Sequence, residues 1–144
     1  MTEVETIART WLGTPFHHQA RCFGSGVDCI NLVIAVMGEA GYPIPSTLPP
    51  YQRVEAANQI SRYMGFVTSR LITGLSEYAD SIDLEDRAVD DVVVFHLGGQ
   101  PQHLGLFFGD RIIHASLTDR KVIETLWNDS LENSLGSVWR WRTS

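Results

Sequence analysis

The sequence predicts an α+β fold in which helices come first and an antiparallel meander of about five strands packs against the second of them. Three observations predict it. Apolar residues recur at helical spacing early in the chain, β-branched and aromatic residues cluster in short runs near its end, and turn residues separate most of those runs. At 144 residues, 44% hydrophobic and 19% charged, the chain has the size and composition of one globular domain, expected to span residues 1–144.

Thr2 and Glu5 have the spacing of a capping box, and Val4, Ile7, Ala8 and Trp11 then share a helical face until Gly13 and Pro15 end it. A second helix is expected to open at Asp28, a good N-cap, and to run through Leu32, Val33, Val36 and Met37 to Gly41. Its apolar residues occupy nearly every side, which marks a buried central helix. After the proline-rich GYPIPSTLPP, residues 51–64 and 66–78 again have helical spacing. Strands are expected at 91–97, 103–108, 111–116, 121–127 and 137–142. Residues 77–91 hold seven acids and one base and read as a solvated loop.

Eleven Lys and Arg against seventeen Asp and Glu give a formal net charge of −6, which argues against a chain that tracks nucleic-acid phosphates. No run approaches the roughly 18 apolar residues of a membrane span. Neither nucleic acid nor membrane is an expected partner. The N-terminus, MTEVETIARTWLG, has acids where a secretory leader has a basic cluster, so the chain is expected to be made in the cytoplasm without a signal peptide. Two cysteines, Cys22 and Cys29, are too few for a disulfide framework, and without a C-x-x-C or H-x-x-x-H pair no metal site is expected.

Cys29 follows the expected N-cap, so its sulfur should lie near unpaired helix N–H groups and the positive end of the helix dipole, both of which favour thiolate. If Gly109-Asp110 is a two-residue hairpin turn, Gly105 stands opposite His114 and His103 opposite Ser116. His103 and His114 are then diagonal neighbours on one face, roughly 7–8 Å apart along the backbone and within reach of a hydrogen bond. A three-residue turn would send them to opposite faces. A cysteine, a histidine base and a third group that orients the base are the parts of a thiol protease.

The segment GTPFHHQARCFGSGVDCINLV resembles the opening of the NlpC/P60 cysteine peptidases, with their Asp-Cys helix start, and is most similar to the short phage-encoded branch of that family. DVVVFHLGGQPQHLGLFFGDRIIHAS resembles the family's strand, base histidine, hairpin and closing Ile-His-Ala. The resemblance implies a papain-like fold with Cys29 as nucleophile, His103 as base and His114 as the orienting residue, and no cofactor. It also implies hydrolysis of amide bonds in peptidoglycan stem peptides, between γ-D-glutamate and diaminopimelate or lysine. An enzyme of that kind acts at the cell wall, as a phage tail or lysis protein or as an injected effector. Its partners would be tail proteins or an immunity protein.

Some positions depart from the pattern. Phe16 stands where the family has a tyrosine near the oxyanion, which leaves the Cys29 amide, and His17 or His18, to supply donors. His17, His18 and Asp28 are candidates for lining the substrate cleft. Asn31 replaces a glycine two residues after the nucleophile, and Asp90 replaces the glycine before the first long strand. Two other functions fit the same residues less closely: acyl transfer to an amine by the same Cys-His pair, and a non-catalytic tail-tip or wall-binding module with a vestigial site.

Overall fold

A computed structural model of the chain describes residues 1–45, 74–97 and 100–143. Helix α1 (Glu3–Thr10) opens where Thr2 Oγ1 accepts the Glu5 amide at 3.1 Å, one half of the expected capping box. The other half is absent. The Glu5 carboxylate, only 4% exposed, instead binds Arg9 and Arg111, and Glu124 binds the same two arginines. This network ties α1 to the strands that carry Arg111 and Glu124.

A short hairpin, β1 (Arg21–Cys22) and β2 (Gly26–Val27), leads into helix α2 (Cys29–Glu39). As its all-round apolar sequence predicts, α2 buries Leu32, Val33, Ile34, Val36 and Met37, and it ends before Gly41, whose φ of +95° suits a glycine. The helical spacing at 51–64 and through most of 66–78 falls outside the described residues, and residues 74–78 are helical.

The remaining strands are β3 (Ala79–Ile82), β4 (Val92–Leu97), β5 (Gln100–Phe107), β6 (Arg111–Ser116), β7 (Lys121–Leu126) and β8 (Leu135–Trp141). They form a six-stranded antiparallel sheet in the order β3-β8-β4-β5-β6-β7. Two expectations are corrected here. The sheet has six strands rather than about five, and it is not a simple meander, because the short helix α3 (Asp129–Ser134) turns the chain back so that β8 inserts between β3 and β4. The acid-rich segment is also more than a solvated loop. It contains β3 and a 3-10 turn (Leu84–Asp86), and Asp91 is 1% exposed in a two-pronged ion pair with Arg140.

The sheet buries both faces. Val92, Val94, Leu104, Leu106, Ile113, Ala115, Trp139 and Trp141 face α1 and α2, whereas Val93, Phe95, Phe107, Ile112 and Val138 form a second core with Trp127, Leu131 and Leu135. Trp139 and Trp141 are thus core residues. At Phe95 the register shifts against both neighbours: β5 skips from His103 to Pro101, and β8 from Ser137 to Leu135. Paired bulges bend the sheet at the level of His103.

Candidate active site

Asp28 caps α2 with its side chain. Oδ1 accepts the Asn31 amide and the Asn31 Nδ2 at 3.0 Å each, and Oδ2 accepts the Gln19 amide at 2.8 Å. The carboxylate is 2% exposed and is committed to the turn before the helix, so Asp28 builds the site rather than lining a cleft. Asn31 reinforces that cap. Asp90 takes the left-handed conformation that glycine favours, at φ +78°, and its side chain accepts from Thr2 Oγ1 at 2.6 Å.

Cys29 is the first residue of α2 and is half-buried, while Cys22 is exposed and both thiols are free. Where its sulfur sits follows from the strands. The Phe107 amide donates to Asp91 on one side of β5 and the Phe108 amide to Arg111 on the other, so the Leu104 amide, an even number of residues from Phe108, points toward β6. There it would meet Ala115, but the β5–β6 ladder stops at Leu106↔Ile113. The Leu104 amide lies beside the Cys29 thiol and, with those of Ile30 and Cys29, favours its thiolate. The helix start therefore lies against β5, beside the residue that follows His103.

The expected thiolate bias is corrected. Burial, and then the negative charge of Asp28, push the Cys29 thiol up to about 12, and the three amides offset only part of this. Local helix geometry acts in the predicted direction, but desolvation outweighs it.

The hairpin has the two-residue turn the sequence suggests. Gly109 has φ +95°, Phe108 N–H donates to the Arg111 carbonyl at 2.9 Å, and Leu106 and Phe107 pair with Ile113 and Ile112. Extended by the same register, His114 faces Gly105. A Cβ added at Gly105 would stand 3.5 Å from the His114 Cβ, so a methyl fits there and a longer side chain would compete with the imidazoles. His103 Nε2 and His114 Nδ1 are 2.7 Å apart, and His114 Nε2 is 2.9 Å from Thr125 Oγ1. Phe95 stacks on the His103 ring, with centroids 6.1 Å apart and planes 25° apart.

Burial, with the nearby His114, pushes the His103 imidazole down to about 3. Burial also lowers His114, against the pull of Asp119. Both rings are neutral near pH 7. With Nε2 engaged by His114, Nδ1 is the nitrogen through which His103 can receive a proton.

His17 and His18 lie in the turn before the helix, on the segment that wraps Asp28. The His17 ring is exposed, with Nδ1 3.3 Å from the His18 carbonyl, and His18 is half-buried. A Cβ at Gly26 would come 2.7 Å from the His17 Cβ, so glycine is required there for the turn to close. Phe16 packs against the first core. Among the described residues, no three His, Cys, Asp or Glu side chains gather as metal ligands would, and no helix is long and apolar enough to cross a membrane. Sequence reasoning missed Thr125. Its signal was the β6–β7 register, which sets Ile112 opposite Thr125 and His114 opposite Ile123.

No family model matches the sequence, and no curated protein does. Solved structures do. An NlpC/P60 family protein from Bacillus cereus superposes on 96% of this chain and 39% of its own, with TM-score 0.68 and 17% identity. The peptidoglycan hydrolase RipB from Mycobacterium tuberculosis matches 96% of this chain and 62% of its own, with TM-score 0.61 and 16% identity. The NlpC/p60 domain of the peptidoglycan hydrolase SagA matches 94% of each chain, with TM-score 0.60 and 15% identity. The chain has the NlpC/P60 fold, and it spans about two fifths of the length of the Bacillus cereus protein.

Proposed function

We propose that a chain with this fold and this cluster is a cysteine hydrolase of peptidoglycan stem peptides, its catalytic domain spanning residues 1–144. One observation carries the proposal: a cysteine at a helix start, its sulfur met by the amide of the residue after a histidine whose other nitrogen is already tied to a second histidine. Two neighbours of the same fold, RipB and SagA, are peptidoglycan hydrolases. The target proposed is the amide between γ-D-glutamate and diaminopimelate or lysine.

In this mechanism Cys29 is the nucleophile, His103 the general base and His114 the residue that orients it. The resting pair is thiol and neutral imidazole, so proton transfer accompanies attack. As the sulfur bonds to the substrate carbonyl carbon, the thiol proton passes to His103 Nδ1, and the carbonyl π electrons move to oxygen. The amide of Cys29 is the proposed oxyanion donor, since Phe16 has no hydroxyl. Collapse of the tetrahedral intermediate breaks the C–N bond, and His103 returns its proton to the leaving amine. Water, deprotonated by the same nitrogen, then cleaves the thioester. His17 and His18 are the proposed lining of the approach to Cys29, and a phage tail, lysis or effector setting at the cell wall is the context proposed.

Digestion of defined muropeptides, with products read by mass spectrometry beside a Cys29→Ala control, tests the proposal. Cleavage at the γ-D-glutamyl bond by the unmodified protein alone supports it. Intact substrate, or equal cleavage by Cys29→Ala, refutes it, and a product carrying an added amine would identify a transferase.

A further inference from the structure

We infer that Thr125 is a positioning residue of this site, whose hydroxyl ends the histidine chain and thereby fixes which nitrogen of His103 is free to accept a proton. The inference rests on the hydrolase reading of Cys29 and His103 and adds a group no motif marks. His103, His114 and Thr125 are linked in series at 2.7 and 2.9 Å, each pair eleven residues apart. The spacing comes from the sheet. His114 faces Gly105, two residues beyond His103, and pairs with Ile123, two residues before Thr125. The three side chains form a diagonal across β5, β6 and β7 on one face.

The polarity of that diagonal has one arrangement compatible with a base at Nδ1. A neutral imidazole carries one hydrogen, so His103 must hold its own at Nε2 and donate it to His114 Nδ1. His114 then carries its hydrogen at Nε2 and needs an acceptor there. The Thr125 oxygen is that acceptor, and its own hydroxyl hydrogen can rotate away. Without the hydroxyl, His114 Nε2 has no partner in either tautomer, and because an orphaned buried N–H is tolerated less well than an orphaned acceptor, the opposite tautomer gains ground. A hydrogen on His114 Nδ1 points at His103 Nε2 and drives the His103 hydrogen to Nδ1, where it blocks acceptance of the Cys29 proton. Because burial keeps both rings neutral, the choice of tautomer decides how much of the protein is competent.

Thr125→Val keeps the shape and removes the oxygen, while Thr125→Ser keeps the oxygen. Long-range proton–nitrogen spectra of protein labelled with nitrogen-15 histidine, near neutral pH, report the tautomer of each ring. In the unmodified protein and in Thr125→Ser, both His103 and His114 are expected as Nε2–H forms. In Thr125→Val, His114 should populate Nδ1–H, and kcat on muropeptides should fall about tenfold with KM unchanged, the scale of one hydrogen bond. Unchanged tautomers with unchanged kcat in Thr125→Val would overturn the inference, as would an equal loss in Thr125→Ser. The spectra need no turnover. If the unmodified protein cleaves no muropeptide, the hydrolase reading falls while the tautomers still decide the role of Thr125.

Discussion

The backbone N–H of Leu104 lies beside the sulfur of Cys29, where the β5–β6 ladder has already ended at Leu106 and Ile113. The helix start thus sits against the strand after its ladder ends, which brings the proposed nucleophile beside the residue that follows its proposed base. It also removes the thiol from water, which sets the first prediction.

With its pKa raised, Cys29 should be mostly protonated at neutral pH, so its alkylation by iodoacetamide should accelerate nearly tenfold per pH unit through the neutral and alkaline range. The measurement uses a Cys22→Ser background, because exposed Cys22 would obscure it. A rate that is flat from about pH 5 to 8 would reveal a thiolate-imidazolium pair instead.

Asp28 contributes to that rise through its charge and to α2 through its cap. Asp28→Asn keeps a good N-cap and removes the charge, so the alkylation profile should move to lower pH with little loss of stability. Asp28→Ala removes both and should cost about 1–2 kcal/mol, seen as a Tm lower by several degrees. A profile unmoved in Asp28→Asn would mean that burial alone raises the thiol.

The two histidines should not be equivalent. His103→Ala loses the group proposed to accept and return the proton, and kcat/KM should fall by about three or more orders of magnitude. His114→Gln can still offer an oxygen to His103 Nε2–H, so a loss of about ten- to a hundredfold is expected. The reverse order in folded variants would exchange the roles.

Activity should also depend on the register of the β5–β6 hairpin. One glycine inserted between Gly109 and Asp110 would put His103 and His114 on opposite faces or force a bulge. Activity should fall by at least about a hundredfold while the circular dichroism of the sheet persists. A folded, fully active insertion variant would show that the histidine pair is dispensable.

Much of this site was legible because its determinants are local. The N-cap before Cys29 is written in Asp28, and the histidine pairing follows from a two-residue turn and the period of two along a strand. What was not legible depends on distant pairing. β3 is only ADSI within an acid-rich run, and it becomes a strand because β8, more than fifty residues later, lies beside it. The place of β8 between β3 and β4 is likewise set by contacts across the chain. The Cys29 thiol was misjudged because a helix start is visible in sequence, whereas the desolvation that opposes it is created by strands packed around it. Thr125 required the β6–β7 register, which a four-residue turn at 117–120 sets.

Trapping the covalent step would identify the nucleophile itself. Unmodified protein would be mixed with a short γ-D-glutamyl-diaminopimelate peptide, quenched in acid within the first turnovers, and read by intact mass and peptide mapping. An adduct equal in mass to the acyl half of the substrate is expected on the peptide containing Cys29, absent from Cys29→Ala, with the free amine product released in step. Product formed at the same rate by Cys29→Ala, or an adduct mapped to Cys22, would contradict the assignment of Cys29 as the nucleophile.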